Sequence, residues 1–86
     1  MAADIAAVYD LSEKRLGTLS PMQKAKLRYW IEAKGMAADV IAYAVDYVAK
    51  RDKLASIYTL EQQLREWYAL GVRDIGGLQH LLEMKG

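Results

Sequence analysis

The chain contains a single proline, Pro21, and it stands directly after a serine, Ser20. A serine side chain can accept hydrogen bonds from the free amides at a helix start, and proline suits the first helical position because its φ is already close to the helical value. Glycines mark the other expected helix boundaries, and residues with high helix propensity dominate between them. The sequence therefore predicts an all-α fold, a single compact domain of four to five short helices.

Five segments place apolar residues at helical spacing, and each is followed by a glycine, a basic turn or the end of the sequence. The predicted helices run from about Asp4 to Leu16, from Pro21 to Gly35, from Ala38 to Arg51, from Ile57 to Gly71 and from Asp74 to about Lys85. In the last of these, Gly76 and Gly77 each cost about 1 kcal/mol relative to alanine. We expect that helix to be short, frayed or held mainly by packing.

The helical spacing also predicts which side chains form the core. The second helix presents Met22, Leu27, Trp30 and Ile31 as its apolar face, and the third presents Val40, Ile41, Ala44, Val45 and Val48. The fourth presents Ile57, Leu60, Leu64 and Trp67, with Glu61, Gln62, Arg65 and Glu66 largely on its exposed side. We expect Trp30, Leu60, Leu64 and Trp67 to be the structural anchors of the core.

Composition limits the classes of protein to which the chain can belong. A hydrophobic content of 53% in 86 residues supports one folded domain, residues 1–86. The net charge of +1 provides no general attraction to nucleic acid, so any such binding requires a local patch. With no cysteine and no apolar run near the ~18 residues of a membrane span, we expect a soluble, cytoplasmic protein without membrane contact.

The sequence offers little for catalysis. His80 is the single histidine and is expected on the polar side of its helix, whereas a metal site needs three or four converging ligands. The serines lack the setting of a nucleophile, and no phosphate-binding glycine loop is present. We expect no catalytic residues, no metal, no cofactor and no enzyme activity.

A cluster of cations near the end of the third helix is the best candidate for a binding site. Lys50, Arg51 and Lys53 lie within four residues, close in sequence to Tyr58 and to a helix that bears Arg65. Cations beside an accessible ring are typical of proteins that bind single-stranded nucleic acid. The alternative is a solvated helix end, where cations simply complement the helix dipole. Composition does not separate the two.

Several spaced landmarks resemble the DnaD-like domain of bacterial and phage replication-initiation (primosome) proteins. These landmarks are Leu19-Ser20-Pro21-Met22, Leu27, Trp30-Ile31, Gly35-Met36, the alanine-valine helix, the basic turn, Leu64, Trp67 and Gly71-Val72. The resemblance is strongest over residues 9–74. In the family, the fourth helix carries a tyrosine eight residues before the tryptophan and an isoleucine four before it. Here those places hold Thr59 and Gln63, and the nearest tyrosine is Tyr58.

The resemblance implies a non-enzymatic module of DNA replication initiation. It would bind DNA, single-stranded DNA in particular, and would contact the initiator or other primosome proteins or form a homo-oligomer. The charged tail that follows this domain in the family is not among the 86 residues, so weak DNA affinity is expected. The alternative is a protein-interaction or self-association module without direct DNA contact, whose apolar surface docks partner helices.

Overall fold

A computed structural model describes residues 4–85 and shows an all-α fold, as predicted. Within these residues there are five helices and no strand. They are α1 (Ile5–Leu16), α2 (Pro21–Glu32), α3 (Ala38–Arg51), α4 (Ile57–Ala69) and α5 (Ile75–Lys85). The predicted ends of α2 and α4 were each late by two or three residues, because the chain leaves the helix before the glycine that follows.

The starts of α2 and α4 are fixed by side-chain caps. Ser20 Oγ accepts a hydrogen bond from the Gln23 amide at 3.2 Å, and Gln23 Oε1 accepts one from the Ser20 amide at 2.8 Å. Pro21 occupies the first helical position, as its fixed φ favours. At α4, Thr59 Oγ1 accepts a hydrogen bond from the Ser56 amide at 3.1 Å, which completes a second reciprocal cap.

The glycines after α2 and α4 adopt the left-handed backbone that ends a helix. Gly35 has a φ of +73° and Gly71 a φ of +92°. A side chain at either position would be strained, whereas glycine reaches this region without penalty. These two turns therefore determine where α2 and α4 stop and where the chain turns back toward the core.

Helix α3 lies at the centre of the fold and packs against α1, α4 and α5. Its predicted apolar stripe is buried at all five positions. An ion pair between Arg15 Nε and Asp46 Oδ1, 3.2 Å apart, joins α1 to the partly exposed side of α3. The core is built around this helix because its apolar stripe is continuous from Val40 to Val48, about two and a half turns.

The anchors predicted on α2 and α4 contribute to the same core. Trp30, Leu60, Leu64 and Trp67 are all buried. The Trp67 ring lies 5.2 Å from the Tyr47 ring centroid and 6.3 Å from that of Tyr43. The resulting aromatic cluster packs α4 onto α3.

Two expectations about exposure were wrong. Met22, assigned to the apolar face of α2, is 72% exposed, and Glu61, assigned to the exposed side of α4, is only 8% exposed. Helix α2 packs through Leu27 and Trp30 and leaves Met22 at the rim of a groove, whereas Glu61 lines the same groove. The orientation of α2 relative to α4 therefore sets the exposure of both residues.

Helix α5 is held by a cap and by one buried side chain. Asp74 Oδ1 accepts a hydrogen bond from the Gly77 amide at 2.8 Å, and Leu78 is buried. This cap offsets part of the glycine penalty in the first turn.

Among residues 4–85, no helix is long and apolar enough to cross a membrane.

Candidate functional site

A groove with a volume of about 670 Å³ lies between α2 and α4. We call it the α2–α4 groove. Its lining combines apolar or aromatic side chains with three cations and one carboxylate: Met22, Ala25, Lys26, Tyr29, Trp30, Lys34, Glu61, Arg65 and Tyr68. This size falls within the range of ordinary ligand sites.

Three aromatic rings at one end of the α2–α4 groove surround a lysine. The Lys34 ammonium lies 5.0 Å from the Tyr68 ring centroid, 5.7 Å from that of Tyr29 and 6.0 Å from that of Trp30. Trp30 and Tyr68 themselves meet edge to face, with their centroids 5.8 Å apart. The negative ring faces attract the ammonium, so Lys34 is held in place in the groove.

A second groove, between α3 and α4, is smaller, with a volume of about 440 Å³. We call it the α3–α4 groove. Arg51 crosses it: its Nη1 donates a hydrogen bond to Gln63 Oε1 at 3.2 Å, and its Cζ lies 5.2 Å from the Tyr47 ring centroid. Thr59 and Gln63, which occupy the family's tyrosine and isoleucine places, both line it. This groove is therefore polar here.

The structure brings together the three cations predicted near the end of α3. Lys50 and Arg51 lie in the last turn of α3, Lys53 lies in the turn that follows, and all three are exposed. We call these three residues the basic turn. The acid within this segment is engaged locally, because Asp52 Oδ1 accepts a hydrogen bond from the Leu54 amide at 2.9 Å.

Tyr58 and Arg65 share one side of α4. Tyr58 is 67% exposed in the first turn of the helix. Seven residues separate it from Arg65, which places the two side chains within about 20° of each other around the helix axis. Arg65 lines the α2–α4 groove, so Tyr58 lies on the side of α4 that faces that groove.

The five predicted nucleic-acid-binding residues do not all share one groove. Arg51 contacts Gln63, and Gln63 lies about 160° from Arg65 around the axis of α4. The basic turn and Tyr58 are neighbours along the chain, whereas Arg51 and Arg65 lie in different grooves. The surface is thus a basic turn followed by an exposed ring, with Arg65 two helical turns further along.

Two contributors to the α2–α4 groove, Lys26 and Tyr29, were absent from the predicted site. With Met22 they occur at spacings of four and three residues, which places them on one side of α2. That spacing was visible in the sequence. What the sequence did not show is that this side faces α4, which begins more than twenty residues later.

The described residues contain no group of histidine and carboxylate side chains that could hold a metal ion. His80 is exposed on α5, on the polar side, as its position in the helical pattern indicated.

Comparison with known families gives an independent result. A family model described as replication initiation and membrane attachment matches residues 9–80. The chain belongs to this family of DnaD-like replication-initiation domains. The match includes the whole region of predicted resemblance, and all residues that line either groove fall within it. No curated protein and no solved structure matches this DnaD-like domain.

Proposed function

We propose that this DnaD-like domain is a non-catalytic cytoplasmic module of replication initiation that binds single-stranded DNA and contacts partner replication proteins. The observation that carries the DNA part is the basic turn, whose three exposed cations lie a few residues before the exposed ring of Tyr58 in the chain. Cations that neutralise phosphates and a ring that stacks on a base are the two contacts that single-strand binders combine.

The charge pattern near the basic turn favours phosphate binding. The protein as a whole carries only +1, so the attraction must be local. Asp46, the nearest acid on α3, is paired with Arg15 at 3.2 Å, and Asp52 accepts a hydrogen bond from the backbone of the turn. Asp52 keeps its charge within the turn, but the three cations Lys50, Arg51 and Lys53 outnumber it, so the segment carries a local excess of positive charge.

Tyr58 is placed to stack on a base. Its backbone is fixed, because the Tyr58 amide donates a hydrogen bond to the Ser56 side chain at 3.2 Å, while its ring is 67% exposed. A fixed backbone with an accessible ring keeps the entropy loss on binding small. Arg65, further along the same side of α4, extends the path with one more phosphate contact.

The proposal is tested by titrating fluorescent single-stranded and duplex oligonucleotides with the protein at two salt concentrations. If about four phosphates are contacted, the logarithm of the association constant should fall with the logarithm of salt with a slope near −3 for single strands. Single strands should bind more tightly than duplex, since only they offer unstacked bases. Absence of binding at low salt would support a protein-interaction module without DNA contact. Binding whose affinity does not change with salt would contradict the proposed phosphate contacts.

A further inference from the structure

We propose that the α2–α4 groove is the docking site for an acidic segment of a partner protein, in which one large apolar side chain is flanked by carboxylates. This inference specifies the partner contact in the proposed function and does not depend on the DNA contact. The groove lies within the family match but shares only Arg65 with the predicted DNA-binding surface.

The α2–α4 groove is large enough, and apolar enough, to bind a large apolar side chain. Its volume of about 670 Å³ can take a large side chain together with the adjoining peptide backbone. Trp30 and Tyr68 lie at one end, and Met22 and Tyr29 are 72% and 54% exposed at the rim. Covering these exposed side chains with an apolar residue of a partner removes their surface from water, which favours association.

The cations of the groove specify the charge of the occupant. Lys26 and Arg65 are exposed on α2 and α4, and Lys34 is held between the rings with its ammonium within 6.0 Å of all three ring centroids. One carboxylate, that of Glu61, opposes these three cations in the lining. An occupant with several carboxylates therefore complements the rim, and the excess of positive charge disfavours a basic segment.

Two features favour a peptide over a nucleic acid in this groove. The Tyr68 ring is less open to a stacked base than the ring of Tyr58, since the Lys34 ammonium lies 5.0 Å and Arg73 Cζ 3.6 Å from the Tyr68 ring centroid, whereas Tyr58 is 67% exposed. The buried carboxylate of Glu61 can accept a hydrogen bond from a peptide N–H, whereas a phosphodiester offers only acceptors. The phosphate backbone of a nucleic acid thus offers no donor to Glu61 in this groove.

The test uses a short fluorescent peptide with one phenylalanine flanked on both sides by aspartates, and its binding to the whole chain is followed by anisotropy. Two further peptides carry asparagine in place of every aspartate, or serine in place of the phenylalanine. We expect both changes to weaken binding by about tenfold or more, because charge and apolar contact act together. Equal binding of the asparagine peptide would overturn the proposal.

Variants on α2 locate the site. Lys26→Glu should lower the affinity for the acidic peptide by about tenfold and make that affinity less dependent on salt. Tyr29→Ser should also lower the affinity, with little change in its salt dependence. The matched control is Lys24→Glu, because Lys24 lies on the other side of α2, with its ammonium 5.6 Å from the Tyr9 ring centroid. Circular dichroism checks that each variant is folded. Unchanged affinity in both groove variants contradicts the proposal.

Competition experiments distinguish the other occupants. If an oligonucleotide displaces the peptide and Lys26→Glu weakens both equally, the groove binds nucleic acid and the proposal fails. It also fails if sedimentation velocity shows a dimer that Lys26→Glu dissociates, since the occupant is then a second copy. A separate failure of the proposed DNA contact is recognised because glutamate substitutions in the basic turn would leave both oligonucleotide and peptide binding unchanged.

Discussion

The Arg73 guanidinium lies over the ring of Tyr68, with 3.6 Å between Cζ and the ring centroid. The same guanidinium donates hydrogen bonds from Nη1 to the carbonyl of Tyr68 at 3.0 Å and to that of Val72 at 2.9 Å. The Tyr68 carbonyl lies in the last turn of α4, where it also accepts a hydrogen bond from the Gly71 amide at 3.0 Å, and Val72 lies in the segment that follows the helix. Arg73 therefore closes α4 and fixes the Tyr68 ring that forms one end of the α2–α4 groove.

Replacing this arginine by lysine should lower stability. Arg73→Lys loses the planar group that stacks and bonds at once, and we expect the free energy of unfolding to fall by about 1 to 2 kcal/mol in urea denaturation. The control is Arg28→Lys, because Arg28 and Glu32 form an exposed pair 4.0 Å apart that contributes little. Equal effects of the two substitutions would show that Arg73 does not stabilise the end of α4.

Trp67 is the largest fully buried side chain of the core. Trp67→Ala should cost about 3 to 5 kcal/mol, because the neighbours of a large ring cannot fill the cavity that it leaves. In a domain of 86 residues this loss can abolish folding, so far-ultraviolet circular dichroism accompanies the urea titration. Trp67→Phe, which keeps a ring beside Tyr47, should remain folded. An alanine variant as stable as the parent would contradict the packing described for α4.

Two serines should respond in opposite directions to the same substitution. Ser12 is fully buried in α1, and none of the described residues accepts or donates a hydrogen bond to its Oγ. Ser12→Ala removes an unsatisfied hydroxyl and should raise the free energy of unfolding by about 1 kcal/mol. Ser56→Ala removes the cap of α4 and should lower it by about 1 kcal/mol. A loss of stability in both variants would mean that Ser12 has a favourable polar contact.

Much of the fold could be predicted because its signals are local. The Ser20-Pro21 start, the glycine ends and the stripe of α3 each depend on residues within a few turns of one another. The exposure of Met22 and the burial of Glu61 depend instead on how α2 lies against α4. Helical spacing cannot supply that arrangement, since it is decided by the packing of segments that are distant in sequence.

Part of the candidate site could likewise be predicted from local sequence, and part depends on how the helices pack. The basic turn was visible in the sequence because its three cations are adjacent. The separation of Arg51 from Arg65 was not, because it depends on the hydrogen bond between Arg51 and Gln63 across two helices. Likewise, the three rings around Lys34 come from α2 and α4 and meet only in the folded chain.

Tyr58 should contribute to DNA binding through stacking alone. Tyr58→Ala is expected to lower single-strand affinity by about 1 to 3 kcal/mol if a base stacks on the ring, with hardly any change in the salt slope. The ring is 67% exposed, so stability should change little. The control is Tyr43→Ala, at a tyrosine of α3 that is 44% exposed and lies 6.3 Å from the Trp67 ring centroid, so its folding is checked by circular dichroism and no loss of DNA affinity is expected. Unchanged affinity in Tyr58→Ala would remove the ring from the site.

The most direct measurement of the proposed function is the single-strand affinity of a triple variant, Lys50→Glu, Arg51→Glu and Lys53→Glu, over a range of salt. All three side chains are exposed, and the variant loses one contact between helices, the hydrogen bond from Arg51 to Gln63, so circular dichroism checks that helical content is retained. A control with the same change in net charge replaces Lys14, Lys24 and Arg28 by glutamate, on α1 and on the far side of α2. The account predicts weaker binding to all sequences and a flatter salt slope in the first variant only. Binding as tight as that of the parent at low salt would contradict it and would leave the basic turn as a solvated helix end.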